Sequence, residues 1–140
     1  MEAKIQVLGS STIIIQNEQD VNSLKRLVSE RADTISMGLL NKTMLATAAS
    51  ELVRNMLRYA GGGQVLVQVV NVNSLNGVRI TFSDDGPGIP DIAVVMKDGY
   101  STGNTLGLGL PGTRRLSDEF LISSEVNKGT TVIITKWANE

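Results

Sequence analysis

The feature that most constrains the fold is an uneven distribution of glycine and proline. Residues 86–112 hold all three prolines of the 140-residue chain and seven of its fourteen glycines. Such a density excludes a regular helix or strand over most of this segment, because glycine costs conformational entropy and proline removes a backbone donor. The core must therefore come from the residues before and after a long loop, and a loop of this length in a compact domain calls for a function.

Ahead of the loop, the hydrophobic pattern predicts a hairpin followed by two helices. Lys4–Leu8 and Thr12–Gln16 predict short strands, with Gly9–Ser11 as the turn between them. A helix is predicted from about residue 20 to residue 38, because apolar residues recur there at helical spacing. These are Val21, Leu24, Leu27, Val28, Ala32 and Ile35. Asn41 is predicted to cap a second helix that ends near residue 60, where three consecutive glycines stop it.

A second hairpin, a short helix and a final pair of strands complete the predicted elements. Gln64–Val72 and Val78–Asp84 predict strands, and Asn76-Gly77 between them predicts a two-residue turn. After the loop, a helix is predicted at Gly109–Leu116, with strands near residues 120–124 and 130–136. This order predicts an α+β fold in a single domain over residues 1–140. The expected architecture is a two-layer α/β sandwich with the helices on one face of a mixed sheet.

The charge balance and the missing residue types narrow the functions open to this chain. Thirteen basic and fourteen acidic residues give a net charge of −1, so no electrostatic excess drives binding to nucleic acid or to a lipid surface. The chain has neither cysteine nor histidine, which excludes disulfides, thiol or histidine catalysis and the usual zinc sites. A signal-peptide pattern and a long apolar run are both absent from the sequence, so a soluble cytoplasmic protein is expected.

Asp84 is the first candidate site residue, because its position in the predicted strand is unusual. The apolar face of that strand is formed by Val78, Ile80 and Phe82. Alternation places Asp84 on the same face, where a carboxylate is costly unless hydrogen-bond donors meet it. One interpretation is a strand-end Asp that turns to water. The other is an Asp that receives hydrogen bonds, favoured by Gly86 and Gly88, which let another group approach the backbone closely.

A second candidate is the run Gly107-Leu108-Gly109-Leu110-Pro111-Gly112, which has the pattern G-x-G-x-x-G. A dinucleotide-binding fingerprint would follow the first strand of a βαβ unit, whereas this run follows a long loop late in the chain. A Walker A loop requires Gly-Lys-Ser/Thr, which is absent. Binding of phosphate remains, because unpaired backbone amides at the start of a helix attract anions.

A third candidate lies on the polar face of the second helix. Glu51 and Asn55 stand one turn apart on that face. The face also carries Thr43, Thr47, Ser50, Arg54 and Arg58. The simpler interpretation is a solvated face with an ion pair between Glu51 and Arg54. Against it, the threonines, the serine and the asparagine are poor helix formers, which leaves a ligand at this face as the alternative.

Together these motifs resemble the Bergerat-fold ATP-binding family (GHKL), which includes gyrase-type ATPases, Hsp90-type chaperones, sensor histidine kinases and small bacterial serine kinases. In family order the chain has Glu51 and Asn55, then Asp84, Gly86 and Gly88, then Gly107, Gly109 and Gly112, and finally Gly129-Thr130. Within the family, the stretches SELVRNMLRYAGGG, DDGPGIPDI and DGYSTGNTLGLGLPGTRRLSDEF are most similar to the RsbT-type switch serine/threonine kinases of the bacterial stressosome.

The resemblance implies a role for each of these residues. Asp84 would accept a hydrogen bond from the adenine amino group and disfavour guanine, and Thr130 would support the adenine. Asn55 would be the protein ligand of Mg²⁺, and Glu51 would be the general base for the attacking hydroxyl. The other residues implied in ATP binding are Gly86, Gly88, Gly107, Leu108, Gly109 and Gly112.

The segment between the second and third motifs would close over the triphosphate. The resemblance implies a lid over residues 91–106. Lys97 and Arg114 are candidates for added positive charge near the phosphates. Asp85 is expected to face the solvent.

The resemblance also implies a function. Gyrase-type and Hsp90-type relatives carry further domains for which 140 residues leave no room, and sensor histidine kinases need a histidine that this chain lacks. The expectation is a serine/threonine kinase, dependent on ATP and Mg²⁺, that phosphorylates STAS-domain antagonist proteins. When released, it would bind and activate a PP2C-type phosphatase in stress regulation. Two alternatives stay open: an anti-sigma factor kinase that sequesters a sigma factor, and a non-enzymatic ATP-gated protein-binding module.

Overall fold

Helices cover one face of a five-stranded sheet in the computed structural model of the chain, which describes residues 4–97 and 109–138. The elements are β1 (Gln6–Ile15), α1 (Glu18–Thr34), α2 (Leu39–Ala60), β2 (Gly63–Val72), β3 (Leu75–Asp84), α3 (Ile92–Val95), α4 (Gly109–Leu116), β4 (Glu119–Glu125) and β5 (Gly129–Trp137). The strand order is β1-β2-β3-β5-β4. The α+β sandwich expected from the sequence is confirmed.

Every pair of neighbouring strands in the described sheet is antiparallel, so the prediction of a mixed sheet is wrong. Parallel neighbours arise when a single crossover helix returns the chain to its starting end. Here two helices, α1 and α2, connect β1 to β2. Because each helix reverses the direction of the chain once, β2 runs opposite to β1.

β1 is one continuous strand, and the predicted hairpin near the amino terminus is wrong. Its residues pair with β2 from Gln6 to Ile15, and the register shifts between Val7 and Gly9. A bulge absorbs one extra residue without ending a strand, and glycine is a common residue at such sites. Gly9 therefore marks an irregularity within the strand where the sequence pattern indicated a turn.

The turn between β2 and β3 lies at Asn73-Ser74, earlier than the predicted Asn76-Gly77. Both turn residues have positive φ, 53° and 70°, and the residues on either side of them, Val72 and Leu75, pair directly. Positive φ at both central residues is the signature of a type I′ hairpin turn. The predicted turn residues belong to β3, where a Cβ on the glycine would lie 2.5 Å from Cε3 of Trp137.

We expect Ser74→Gly to stabilise the protein. Ser74 holds a left-handed conformation that costs a residue with a Cβ about 1–2 kcal/mol, and Asn-Gly is the preferred pair for this turn. The free energy of unfolding, measured by urea denaturation, should rise by about 0.5–1 kcal/mol. The control is Ser23→Gly at an exposed position of α1, which should lower it by a similar amount. A Ser74→Gly protein no more stable than the parent would contradict the turn geometry.

The two long helices bury the apolar faces that the sequence predicts. The buried residues are Val21, Leu24, Val28 and Ala32 of α1 and Leu45, Ala48, Ala49, Leu52, Val53 and Met56 of α2. α1 is shorter than predicted at its carboxyl end, where Ser36 adopts a φ of 55°. No helix among the described residues combines the length and the apolarity that crossing a bilayer requires.

The start of α2 differs from the prediction and its end agrees with it. Gly38 is the N-cap, without a side-chain hydrogen bond. Asn41, the predicted cap, lies inside the helix and donates from Nδ2 to the carbonyl of Trp137 at 3.3 Å. The helix stops where predicted, because Gly61 adopts a left-handed conformation with φ of 75° and donates to the carbonyl of Leu57.

Candidate functional site

A cavity of about 280 Å³ opens between α2 and the sheet at the end of β3 and the start of β5. Its described lining also includes the segment after β3, α3 and the start of α4. The side chains with hydrogen-bonding groups are Asn55, Tyr59, Asp84 and Thr130, and the larger apolar ones are Leu52, Met56, Phe82, Ile89, Leu110 and Val132. Apolar walls with a few polar groups are typical of a site for a small organic ligand.

The cavity brings together half of the residues that the sequence singled out. Asn55, Asp84, Gly88, Gly109 and Thr130 line it. Gly86 and Gly112 are placed in the segment after β3 and in α4 but are not part of the lining. Gly107 and Leu108 lie outside the described residues. Glu51 is in α2, one turn before Asn55, and does not line the cavity.

Asp84 is held by the backbone through one of its two carboxylate oxygens. Oδ1 accepts hydrogen bonds from the amide of Gly86 at 2.9 Å and from the amide of Thr130 at 3.3 Å. No described residue donates a hydrogen bond to Oδ2. The inward placement expected from strand alternation is confirmed. One oxygen is left to accept a hydrogen bond from a ligand in the cavity.

Gly86 and Gly88 allow the segment after β3 to pass close to two neighbours. A Cβ on Gly86 would lie 2.6 Å from Cβ of Ala60 at the end of α2. Gly88 has φ of 79°, and a Cβ there would overlap the carbonyl oxygen of Glu125. Any larger residue at either position would push this segment away from its neighbours and change the shape of the cavity wall.

The predicted polar face of α2 is neither fully exposed nor held by the ion pair that the sequence suggested. Ser50, expected on the polar face, is buried and its hydroxyl donates to the carbonyl of Ala46 at 2.9 Å. Its short side chain satisfies the helix backbone, which explains why it is tolerated inside the protein. Glu51 is half-exposed, and no described residue forms an ion pair with it, Arg54 included. The simpler interpretation of this face, a Glu51–Arg54 ion pair, is therefore not supported.

The segment expected to act as a lid is described only in part. Residues 91–97 contain α3, which Asp91 caps through Oδ1, and Val95 of this helix lines the cavity. Residues 98–106 lie outside the described residues. Lys97 and Arg114, the candidates for added positive charge, are exposed and do not line the cavity. Asp85 is likewise exposed and outside the lining. For Asp85 this confirms the expectation that it faces the solvent.

Most of the apolar lining of the cavity, and the hydroxyl of Ser124, were not predicted from the sequence. Leu52, Met56 and Phe82 follow the same periodicity as core residues, and nothing in that pattern separates a cavity wall from a core contact. Ser124 forms hydrogen bonds next to Asp84 and Thr130. A serine on the helix-facing side of the predicted last strands was the only signal that could have found it.

Comparisons with known proteins identify relatives that are ATPases and protein kinases. Residues 41–139 match the family described as histidine kinase-, DNA gyrase B- and HSP90-like ATPase. Serine/threonine-protein kinase RsbT of Bacillus subtilis is 41% identical over 127 residues, which is 91% of this chain and 96% of that relative. An anti-sigma F factor of Geobacillus stearothermophilus is 34% identical over 101 residues, which is 67% of this chain and 68% of that relative.

A solved structure shares the fold. The crystal structure of the RsbU and RsbW domains of a Mycobacterium tuberculosis protein matches with a TM-score of 0.64 at 16% identity. The match covers 94% of this chain and 33% of that longer chain. With the family match over more than half of the sequence, the chain belongs to the family of histidine kinase-, DNA gyrase B- and HSP90-like ATPases.

Proposed function

We propose that this protein is a serine/threonine kinase that transfers the γ-phosphoryl group of ATP to a hydroxyl of a small partner protein. The observation that carries the proposal is the convergence of Asn55, Asp84 and Thr130 on one apolar cavity, with Glu51 one helical turn from Asn55. The similarity to RsbT, which extends over 91% of the chain, supports the same activity.

The adenine of ATP is proposed to lie against the apolar wall and to meet Asp84. Its 6-amino group donates to Oδ2, the carboxylate oxygen that no described residue uses. Guanine carries a carbonyl oxygen at that position, and two acceptors facing each other repel. Gly107, Leu108, Gly109 and Gly112 are proposed to approach the phosphates, since backbone amides at the start of a helix attract anions.

The residues present also fit a magnesium ion. Asn55 lines the cavity, and no described residue forms a hydrogen bond with its side chain. An amide oxygen is a hard ligand of the kind Mg²⁺ accepts, and Mg²⁺ is usually held by one or two protein groups together with phosphates and water. Bound there, the ion would neutralise charge on the phosphates.

Glu51 is proposed as the general base. Its carboxylate is half-exposed and unpaired among the described residues, so a serine or threonine hydroxyl of a docked protein can reach it from the solvent. The hydroxyl oxygen bonds to the γ-phosphorus as the bond to the ADP oxygen breaks, and the hydroxyl proton passes to Glu51.

The proposed substrates are STAS-domain antagonist proteins, and the proposed second partner is a PP2C-type phosphatase that the released kinase activates in the cytoplasm. RsbT and an anti-sigma F factor among the relatives support this partner-switching role. The match to the anti-sigma F factor also favours a second candidate, a kinase that sequesters a sigma factor. Its match covers only 67% of this chain, which places it second.

A phosphotransfer assay tests the proposal. The purified protein is incubated with Mg²⁺, labelled ATP and STAS-domain proteins of the same genome, and label on a serine or threonine of one of them is expected. Binding of that protein should be lost after phosphorylation. Binding of ATP and partner without transfer would support an ATP-gated binding module, and capture of a sigma factor would support the second candidate.

Asp84→Asn should weaken ATP binding by about 1–3 kcal/mol, because an amide NH₂ group placed toward the adenine amino group replaces a charge-assisted acceptor. Calorimetry with ATP measures this loss. The control is Asp33→Asn, which changes an exposed carboxylate of α1 that pairs with Lys42 and should leave ATP affinity unchanged. Equal affinity for ATP in Asp84→Asn and wild type would contradict the adenine assignment.

A further inference from the structure

Ser124 in β4 joins three segments next to the proposed adenine site, and no motif of the sequence accounts for it. Its hydroxyl oxygen accepts a hydrogen bond from the amide of Ile89 at 2.7 Å. It also lies 3.0 Å from the carbonyl oxygen of Gly129 and 2.8 Å from Oγ1 of Thr130. One side chain of β4 thus contacts the segment after β3 and the start of β5, where its partner Thr130 is a residue that lines the cavity.

The number of protons available fixes the direction of these bonds. A serine hydroxyl has one proton to donate and can accept two hydrogen bonds. The carbonyl of Gly129 can only accept, so the proton of Ser124 goes to it. The amide of Ile89 can only donate. The contact with Thr130 is then satisfied only if the hydroxyl of Thr130 donates to Ser124.

This direction determines what the cavity offers to a ligand. With its proton turned toward Ser124, Thr130 presents only lone pairs to the cavity. Asp84 is opposite Thr130 in the pairing of β3 with β5 and presents the free oxygen Oδ2. The two side chains together form a wall of acceptors, which suits a ligand group that carries two N–H donors.

We propose that Ser124 is a positioning residue that orients the hydroxyl of Thr130 as an acceptor and so makes the site selective for the amino group of the base. This inference rests on the proposed function, which places adenine in the cavity. The two hydrogens of the 6-amino group would then go to Asp84 and to Thr130.

The segment after β3 has a second attachment that does not depend on Ser124. The amide of Asn127 donates to the carbonyl of Pro87 at 2.8 Å. Removal of the Ser124 hydroxyl therefore leaves this segment tied to the β4–β5 turn. What changes is the freedom of the Thr130 hydroxyl to rotate and to point its proton into the cavity.

The test measures how much the amino group contributes to binding. Dissociation constants are determined for ADP and for purine riboside 5′-diphosphate, which lacks the 6-amino group. In wild type the analogue should bind more weakly. The ratio of interest is the dissociation constant of the analogue divided by that of ADP. In Ser124→Ala this ratio should fall about three- to tenfold, the range of one hydrogen bond. The control is Ser123→Ala, at the adjacent exposed position of β4, which should keep the wild-type ratio.

Two further variants distinguish a loss of the Thr130 hydroxyl orientation from a general loss of structure at the site. Ser124→Cys keeps the size but accepts hydrogen bonds poorly, so it should lower the ratio even if Ser124→Ala does not fold. Thr130→Val removes the oriented hydroxyl, and Ser124→Ala added to it should lower the ratio no further. The inference would be overturned if Ser124→Ala weakened the binding of ADP and of the analogue equally, so that the ratio stayed unchanged. It would also be overturned if Ser124→Ala lowered the ratio further in the Thr130→Val background.

The result also separates this inference from the proposed function. Wild-type protein that does not bind ADP would refute the proposed ATP site, and this inference with it. Wild-type protein that binds ADP more tightly than the analogue, with the same ratio in Ser124→Ala, would refute only the role of Ser124.

Discussion

Glu51→Ala is expected to lower the rate of phosphotransfer by about 10²–10⁴-fold while leaving ATP affinity unchanged. A general base contributes this much because it removes the proton of the attacking hydroxyl as the new bond forms. ATP affinity should survive because Glu51 is outside the cavity lining and, in its proposed role, contacts the hydroxyl of the protein substrate. Single-turnover transfer from labelled ATP and calorimetry with ATP measure the two quantities separately.

Two variants make the test of Glu51 specific. Glu51→Gln keeps the size and hydrogen-bonding capacity of the side chain but cannot accept a proton, so it should lose nearly as much rate as the alanine. Glu30→Ala changes a glutamate on the exposed side of α1 and should transfer phosphate at the wild-type rate. Both Glu51 variants should also hold the unphosphorylated partner longer in the presence of ATP, since they bind it without modifying it.

The outcome distinguishes the candidate functions. Normal phosphotransfer by Glu51→Ala would show that another group, or the substrate itself, takes the proton. A wild-type protein that binds ATP and its partner without ever transferring phosphate would favour the ATP-gated binding module. In that case the presence of a half-exposed glutamate one turn from Asn55 would need a different explanation.

The sequence predicts the parts of the fold that depend on local pattern. Leu45, Ala48 and Leu52 recur at helical spacing, and they are buried. It fails where the outcome depends on distant partners: Gly9 looks like a turn residue, yet pairing with β2 carries the strand through it. Likewise Asn76-Gly77 is the stronger turn signal, but the register of β2 against β3 places the turn at Asn73-Ser74.

The candidate site was predictable where polar residues interrupt an apolar pattern. Asp84 is conspicuous because alternation directs a carboxylate to the covered face, where it either turns to water or needs hydrogen-bond donors. The structure supplies those donors as the backbone amides of Gly86 and Thr130. Ser124 gives a weaker signal, because an uncharged serine on the helix-facing side of a strand is ordinary and its partner Ile89 lies 35 positions away in the sequence. The role proposed for Ser124 rests on the single proton of its hydroxyl, and the partners that compete for this proton are known only from the three-dimensional structure.

Asn55→Ala is expected to remove the effect of Mg²⁺ on ATP binding and to lower phosphotransfer by about 10²-fold or more. The wild type should bind ATP more tightly with Mg²⁺ than with EDTA, because the amide oxygen adds a protein ligand to an ion otherwise held by phosphates and water. Without that ligand the two affinities should converge. The loss in rate follows because a bound metal supplies several kcal/mol of stabilisation to the charge on the transferring group.

Calorimetry with Mg²⁺ and with EDTA, followed by single-turnover transfer, measures both effects of Asn55→Ala. Thr43→Ala changes an exposed residue earlier in the same helix and should preserve both the response to Mg²⁺ and the rate. Circular dichroism should show an unchanged total helix content in both variants, since alanine favours a helix. If Asn55→Ala keeps the wild-type difference between Mg²⁺ and EDTA, the ion is held elsewhere and the proposed metal ligand is wrong. If it loses that difference yet transfers phosphate at the wild-type rate, the metal aids binding alone and the rate must come from Glu51 and the positioning of ATP.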